Sequence, residues 1–565
     1  MKTEICDVLI IGSGGAGLCT AIELHDRKKK VLVVGKCKKR EAHTMQAQGG
    51  INAALGNMDK KDSWQLHAAD TIADGGYIND AAAVELLCKN APDAVNELAK
   101  WGTKFHREKN GNISQRFFGA ATYRRACFSG DVTGKEILNT LVDQVLQRKI
   151  GMKSEMYIFS LLTSGGIVNG ALGLHMPTGT ITAFHAKAVV LATGGHSRAF
   201  ARSSSHFWEN NGDGIALAKS VGAEFIDMEM FQFHPTGMVW PKNAAGLLVT
   251  EAVRGEGGIL TNSKGKRFVE ELSARDVVAR AIWKEITSGR GTKRGGVYLD
   301  ISHQSLSYLK KRLPTMVQRF KKFCKVDISK QKMEVAPTAH YSMGGIRTNH
   351  ATGETGVEGL YALGEVTGGM HGGNRLGGNS LAEIVVFGRL VGKNLASTIK
   401  KISLLPLDQA QISSQIDTIE KLCSTKAGSD PIKIKEELQQ MMWEHAGVVR
   451  DGKTLNAGIK KLKTFQSKKL QVTGSLKNNQ KLIAALDIAN MIPTSEMILE
   501  SAILRKESRA AHFRSDFPKS SKLWEKNIVI SPSGIKKESV KKPSSAVQKQ
   551  LKWREKHKQS SELLE

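Results

Sequence analysis

ICDVLIIGSGGAG, residues 5–17, decides the fold. An apolar run, Val8 to Ile11, breaks into glycines and then resumes with helix-forming residues. Gly12, Gly14 and Gly17 stand in G-x-G-x-x-G spacing between a strand and a helix. The first glycine permits the tight turn, the second lets backbone approach a pyrophosphate, and the third allows close helix–strand packing. Gly15 opens the helix, whose N-terminus offers N–H donors and a positive dipole end to phosphate. Residues 18–29 keep helical composition and VLVV at 31–34 reads as a second strand, completing a βαβ unit. A nicotinamide site wants an acidic residue at the end of that second strand. Gly35 and Lys36 stand there instead, so a standard NAD site is disfavoured, a flavin is favoured, and Lys36 takes the acid's place beside the cofactor.

Outward from that unit, residues 62–100 show helical periodicity. Residues 154–195 alternate like strands and end in KAVVLATGG, where Thr193 and Gly194 make a cofactor-side turn. Residues 212–222 look helical, and 225–335 form a mixed region with few long helical patterns. GLYALG from 359 returns to strand, followed by a glycine-rich turn and a helix from Ser380 to about 399. Residues 406–513 read as predominantly helical, and from about 526 the mix of Ser, Pro and Lys predicts an extended or weakly ordered tail. The expectation is an α/β protein. Its Rossmann-like dinucleotide-binding domain comes in two segments, 1–230 and 341–402. An α+β capping domain (231–340) is inserted between them, and a helical domain (403–525) and a basic tail (526–565) follow.

The 565 residues carry 82 Lys+Arg against 54 Asp+Glu, a net +28. Residues 401–565 hold 30 Lys+Arg and 18 Asp+Glu, so the excess thickens toward the C-terminus. Such charge invites nucleic acid or an anionic membrane, but no nucleic-acid-binding motif is present and aromatics are only 6%, which leaves few stacking platforms. No nucleic-acid partner is expected. No apolar run reaches the ~18 residues of a membrane span. The seven cysteines form no CxxC pair, which argues against an iron–sulfur cluster, a zinc ribbon or a disulfide framework within this chain.

A set of motifs then narrows the reading: HTMQAQGG (43–50), GDG (212–214), QFHPTG (232–237), TEAVRGEGG (250–258), ARD (274–276), HYSMGG (340–345) and GEVTGGMHGGNRLGGNSLAEIVVFGRL (364–390), with ESRAAHFRSDFP at 507–518. Their order and spacing resemble the flavoprotein subunit of succinate dehydrogenase and fumarate reductase. The resemblance implies FAD bonded covalently through His43 to the flavin 8α-methyl carbon, with Thr44, Gln48, Gly49 and Gly50 completing that motif. Met45 and Gln46 depart mildly from its usual small aliphatic pair. It implies flavin contacts at Asp213, at Glu365 with the ribitol or ribose, and at Ser380 and Leu381, which open a helix aimed at the isoalloxazine ring. Ser380 as an N-cap fits that role.

The implied reaction exchanges a hydride between FAD and a C4 dicarboxylate. Two carboxylates need cationic and hydrogen-bonding clamps at both ends, and His234, Thr250, His340 and Arg375 match the family's clamp positions. Arg275 matches its catalytic arginine. Arginine's high pKa makes it an unusual general acid, workable through a proton chain that Glu251 and Arg254 match. A plain ion-pair network is the alternative reading of those three residues.

L-aspartate oxidase and a soluble fumarate reductase are the rival enzymes. ARDVVARAI resembles the first, but His43 counts against it. Gln48 leans the direction toward succinate oxidation. With no cluster of its own expected, the chain should pass electrons to a separate iron–sulfur subunit, then through a membrane anchor to quinone. A cytoplasmic location, peripheral on the inner face of the cell membrane, follows as the expectation, with the basic C-terminal share facing an acidic partner or the membrane.

Overall fold

The computed structural model describes residues 2–562. Its central sheet runs Gly151–Lys153, Val31–Val34, Lys2–Ile11, Thr180–Leu191, Ile167–His175, Met156–Ser164, with Leu360–Ala362 also paired to Thr180–Leu191. The strand Lys2–Ile11 lies parallel to both Val31–Val34 and Thr180–Leu191, whereas the last three strands on the path form an antiparallel meander. Val8 to Ile10 are wholly buried, which is why the run is continuously apolar rather than alternating. Each such side chain contributes roughly 1.5–3 kcal/mol on leaving water.

The helix Gly15–Asp26 packs beneath the long helix Asn379–Thr398, so two segments distant in sequence share one face of the sheet. A second, antiparallel sheet of Phe231–Met238, Met333–Ser342, Val297–Asp300 and Ile259–Thr261 stands over the carboxyl ends of the central strands. The intervening region holds more helix than its composition suggests: Arg275–Glu285 and Pro314–Cys324 bury Val278, Ile282, Met316 and Phe320 against this sheet. Four helices, Gln409–Cys423, Pro431–Ala446, Gly452–Gln466 and Gln480–Leu504, follow. The last is long and apolar enough to cross a membrane, but 72% of its apolar window is buried inside the protein, where it forms the core of the helical region.

The tail corrects the sequence expectation. Lys526–Ser531 and Gly534–Ser539 form a hairpin that extends a small sheet with Phe225–Ile226 and Gly345–Ile346. Helix Ser545–Glu562 then returns to the main body. The β-branched run Ile528-Val529-Ile530 and the Ser-Pro-Ser-Gly turn after it are ordinary hairpin signals, masked by the surrounding lysines. Val547 and Leu551, one helical turn apart, are the apolar stripe that docks the helix.

Candidate active site

A cleft enclosing about 1260 Å³, open solvent at its mouth included, lies between the glycine turn and the second sheet. Its lining runs from Gly12 and Gly14 at the turn to His234 and His340 on the second sheet.

The glycine turn forms one end. Gly12 has φ +122°, and a Cβ there would sit 2.0 Å from the Ala192 carbonyl oxygen. Gly17 lines no part of the cleft. A Cβ on it would meet the Gly12 carbonyl at 2.1 Å, so it sets the helix–strand spacing. Gly14 and Gly15 face the cleft, and the Gly15 N–H donates to Thr44 Oγ1 at 3.0 Å, tying the turn to the His43 segment. His43, Thr44, Gln48, Gly49, Gly50, Thr193 and Gly194 all line this end. The side-chain oxygens of Gln48 and Thr193 are buried with no partner in the protein. A glycine cradle, orphaned polar atoms and a helix N-terminus fit FAD. Burial, with His206 nearby, pushes the His43 imidazole down to about 4, so it is neutral at pH 7.

Lys36 and Asp213 stand outside the cleft lining. Lys36 Nζ donates to Asp213 and to Asp487, both at 2.9 Å, beside a neighbouring cavity lined by Lys36, Cys37 and Glu155. Glu365 faces the cleft and accepts from the Ser342 N–H and hydroxyl at 3.2 Å; burial pushes it up to about 7. Ser380 and Leu381 line the cleft in the first turn of Asn379–Thr398, but the N-cap is Gly378, at φ +87°. A side chain at 378 would collide with Asn52, so a serine cap cannot occupy it.

At the other end the residues expected to clamp a substrate converge. His234 and His340 come from paired strands, their ring centroids 5.3 Å apart. Burial first, then Arg275 for His234 and Arg375 for His340, hold both imidazoles well below their usual range, so both are neutral. His340 Nδ1 is engaged by Ser204 Oγ at 2.8 Å. Thr250 is buried on the same wall. Arg375 donates to Gln232 Oε1 at 2.8 Å and lies over the Tyr341 ring at 4.5 Å. Arg275 donates to the same Gln232 oxygen at 3.2 Å and, through Nε, to Glu251 Oε2 at 2.8 Å. Arg254 lies 3.9 Å from Glu251 behind the wall, held by the Glu271 carbonyl, and does not reach the cleft. Arg275, Glu251 and Arg254 therefore form a chain leading inward from the cleft.

Several residues here escaped sequence reasoning. Gln232, which ties the two arginines together, lies two residues before His234, and strand alternation places both on one face. Phe118 packs its ring against Gly49 and Gly377, and no motif marks it. Asn379 accepts from Asn52 and pairs with His67, each at 2.8 Å, locking the turn that carries Arg375. Glu209 and Asn210 come from a loop without a recognisable pattern.

The fold and this cleft define an FAD-dependent oxidoreductase. A model described as FAD binding domain matches residues 7–381, and one described as fumarate reductase flavoprotein C-term matches 435–556. The chain is 42% identical over 548 residues to a fumarate reductase (CoM/CoB) subunit of Methanothermobacter marburgensis, covering 94% of this chain and 98% of that one. It is 37% identical over 551 residues to the succinate dehydrogenase flavoprotein subunit of Rickettsia bellii, covering 92% and 91%. Mycobacterium smegmatis Sdh1, solved in complex with UQ1, superposes with a TM-score of 0.90 at 39% identity, covering 97% of this chain and 96% of that chain. The chain belongs to the succinate dehydrogenase and fumarate reductase flavoprotein subunit family.

Proposed function

We propose that this chain interconverts fumarate and succinate at the cleft, with FAD held by the glycine turn and the 43–50 segment. One observation carries the reading. Arg275 and Arg375, both lining the cleft, meet at a single buried amide oxygen, that of Gln232, and Glu251 is the one carboxylate hydrogen-bonded to either guanidinium among the described residues. Two cations with one counter-charge call for an anionic ligand, and neutral His234 and His340 beside them can donate to carboxylate oxygens without further charge.

Bound FAD supplies the hydride chemistry. The chain's own groups do the rest. Arg375, pinned by Gln232 and Tyr341, grips one carboxylate; His234, Thr250 and His340 orient the substrate. Arg275 delivers or removes the proton at carbon, and Glu251, with Arg254 behind it, holds its guanidinium in place and restores its protonation. Phe118 and the second sheet exclude water. His43 is proposed as the covalent flavin attachment: its neutral ring is the form that can bond carbon. Acid denaturation tests that link, with yellow fluorescence expected to stay on the protein band and free flavin in the supernatant contradicting it.

Electrons are proposed to leave through a separate iron–sulfur subunit, then a membrane anchor, with this chain peripheral on the inner face of the membrane. The relative from Methanothermobacter marburgensis, named for CoM/CoB, favours a second reading in which CoM/CoB is the electron partner. The deciding assay offers the flavin-loaded protein succinate, fumarate and L-aspartate with an artificial carrier, then quinol or CoM/CoB as donor in the reconstituted complex. Turnover of the C4 dicarboxylates and none of L-aspartate is expected; the reverse would overturn the reading.

A further inference from the structure

Behind the cleft, a second, much smaller cavity is lined by Asp74, Gly119, Glu251, Arg275, Asn374 and Arg375, among others. Arg275, Glu251 and Arg375 line both cavities, so the Arg275–Glu251 ion pair and Arg375 form the wall between them. Asp74 does not reach the cleft. It closes the helix Trp64–Asp74, and its two carboxylate oxygens each accept weakly from Asn374 Nδ2 at 3.3 Å. Asp74 is half-buried, and no ion pair is made by it among the described residues.

We propose that Asp74 is a second proton source for Arg275, exchanging protons with it across this cavity by way of water. It acts through Arg275 and touches no substrate, so it is a positioning and proton-supplying group. The inference rests on the fumarate–succinate reading and adds an inlet that the Arg275–Glu251–Arg254 chain does not contain. For each fumarate reduced, Arg275 gives one proton to carbon. The Asp74 carboxyl O–H then passes its proton to the guanidine nitrogen through water, leaving a carboxylate that takes a proton from solvent. Succinate oxidation runs the same transfers backward.

Three features suit Asp74 to this. The cavity has room for about one water between the groups. A carboxylate at a helix C-terminus meets the negative end of the dipole, which favours its protonated form. Burial and Asp276 together push it up to about 7, against the pull of Arg275, Arg554 and the Asn374 amide. It can therefore both hold and release a proton near neutral pH. On the far side, Arg554 pairs with Asp70, one turn earlier on the same helix, and its NH2 contacts the Ala120 carbonyl. The charged groups facing Asp74 among the described residues are thus Arg275, Arg375 and Glu251 around the cavity, with Asp276 and Arg554 beside it.

The test compares flavin-loaded wild type, Asp74→Asn and Asp74→Glu in fumarate reduction between pH 5.5 and 8.5 with an artificial donor. Wild-type kcat is expected to fall as pH rises through about 7, because the protonated carboxyl is the donor. Asp74→Asn should lose that limb and run at least roughly tenfold slower at pH 6, with unchanged KM and flavin content. Asp74→Glu should restore the limb. The infrared difference between flavin-free wild type and Asp74→Asn, in which carboxyls common to both such as Glu365 cancel, should leave one carboxyl C=O band that titrates near pH 7. An unchanged pH profile in Asp74→Asn overturns this inference while leaving the fumarate–succinate reading intact. No turnover by wild type would overturn both.

Discussion

Replacing Glu251 with Gln changes one atom and should disable the site. Burial alone pushes the Glu251 carboxyl up, but Arg275 and Arg254 outweigh it and hold it at about 2. The fall from the ordinary 4.5 to about 2 corresponds to about 3 kcal/mol of preference for the ionised form. Because the folded-state value is depressed, that stabilisation is present above pH ~4.5 and is lost as pH falls toward ~2. An amide forfeits it at every pH. The geometry adds a second defect: Glu251 receives N–H donors on both oxygens, Arg275 Nε at 2.8 Å and Gly119 N at 3.3 Å. The amide of Gln has one acceptor oxygen, so its NH2 must face one of those donors. Arg275 loses its fixed orientation, which both proton inlets need, and the inlet that runs through Glu251. The expected cost is roughly 10²–10⁴ in kcat, the usual range for general acid–base groups, with flavin content unchanged. Steady-state fumarate reduction, with thermal melts from pH 5 to 3, checks both parts. The melting temperature of wild type should fall further across that range than that of Glu251→Gln. A variant within about threefold of wild-type kcat would refute the relay, and parallel melting curves would refute the electrostatic account.

Gly12→Ala should abolish flavin binding, since the new Cβ would sit 2.0 Å from the Ala192 carbonyl at a φ of +122°; flavin absorbance after gel filtration reads this. Arg554→Ala should loosen the loop carrying Phe118, because Arg554 Nε and Thr122 share the carboxylate of Asp70. A several-fold rise in KM for fumarate with flavin retained is expected, and faster proteolysis between residues 117 and 124 should accompany it; unchanged KM and proteolysis would show the closing helix to be a passive dock.

How much was legible depended on how local the determinant was. The glycine turn could be read because backbone sterics act over six residues, and a Cβ at Gly12 or Gly17 has nowhere to go whatever the rest of the chain does. The proposed clamps His234, His340 and Arg375 were legible only because each sits inside a motif. Gln232 carried a weaker sign, the two-residue period of its strand. Phe118, Asp74 and the Asn52–His67–Asn379 cluster carried none, because their partners lie far along the chain. The His67–Asn379 contact alone spans 312 positions. The tail was misread because composition outvoted pattern: its lysines hid the Ile528–Ile530 strand and the Val547/Leu551 stripe. The same lysines bear on charge. Among the described residues, Arg254, Arg275 and Arg375 are the basic side chains of the proposed dicarboxylate end of the cleft and the chain behind it, a small part of the 82.

The central claim is that Arg275 moves the proton while the rest of the cleft binds FAD and the dicarboxylate. Arg275→Lys keeps a positive charge but cannot reach Glu251 and Gln232 at once through a planar fork. The direct measurement is single-turnover fumarate reduction by this variant, with flavin content and fumarate affinity determined on the same sample. Full flavin, fumarate affinity within about tenfold of wild type and turnover below roughly a thousandth of wild type are predicted. Turnover near the wild-type rate would contradict the account.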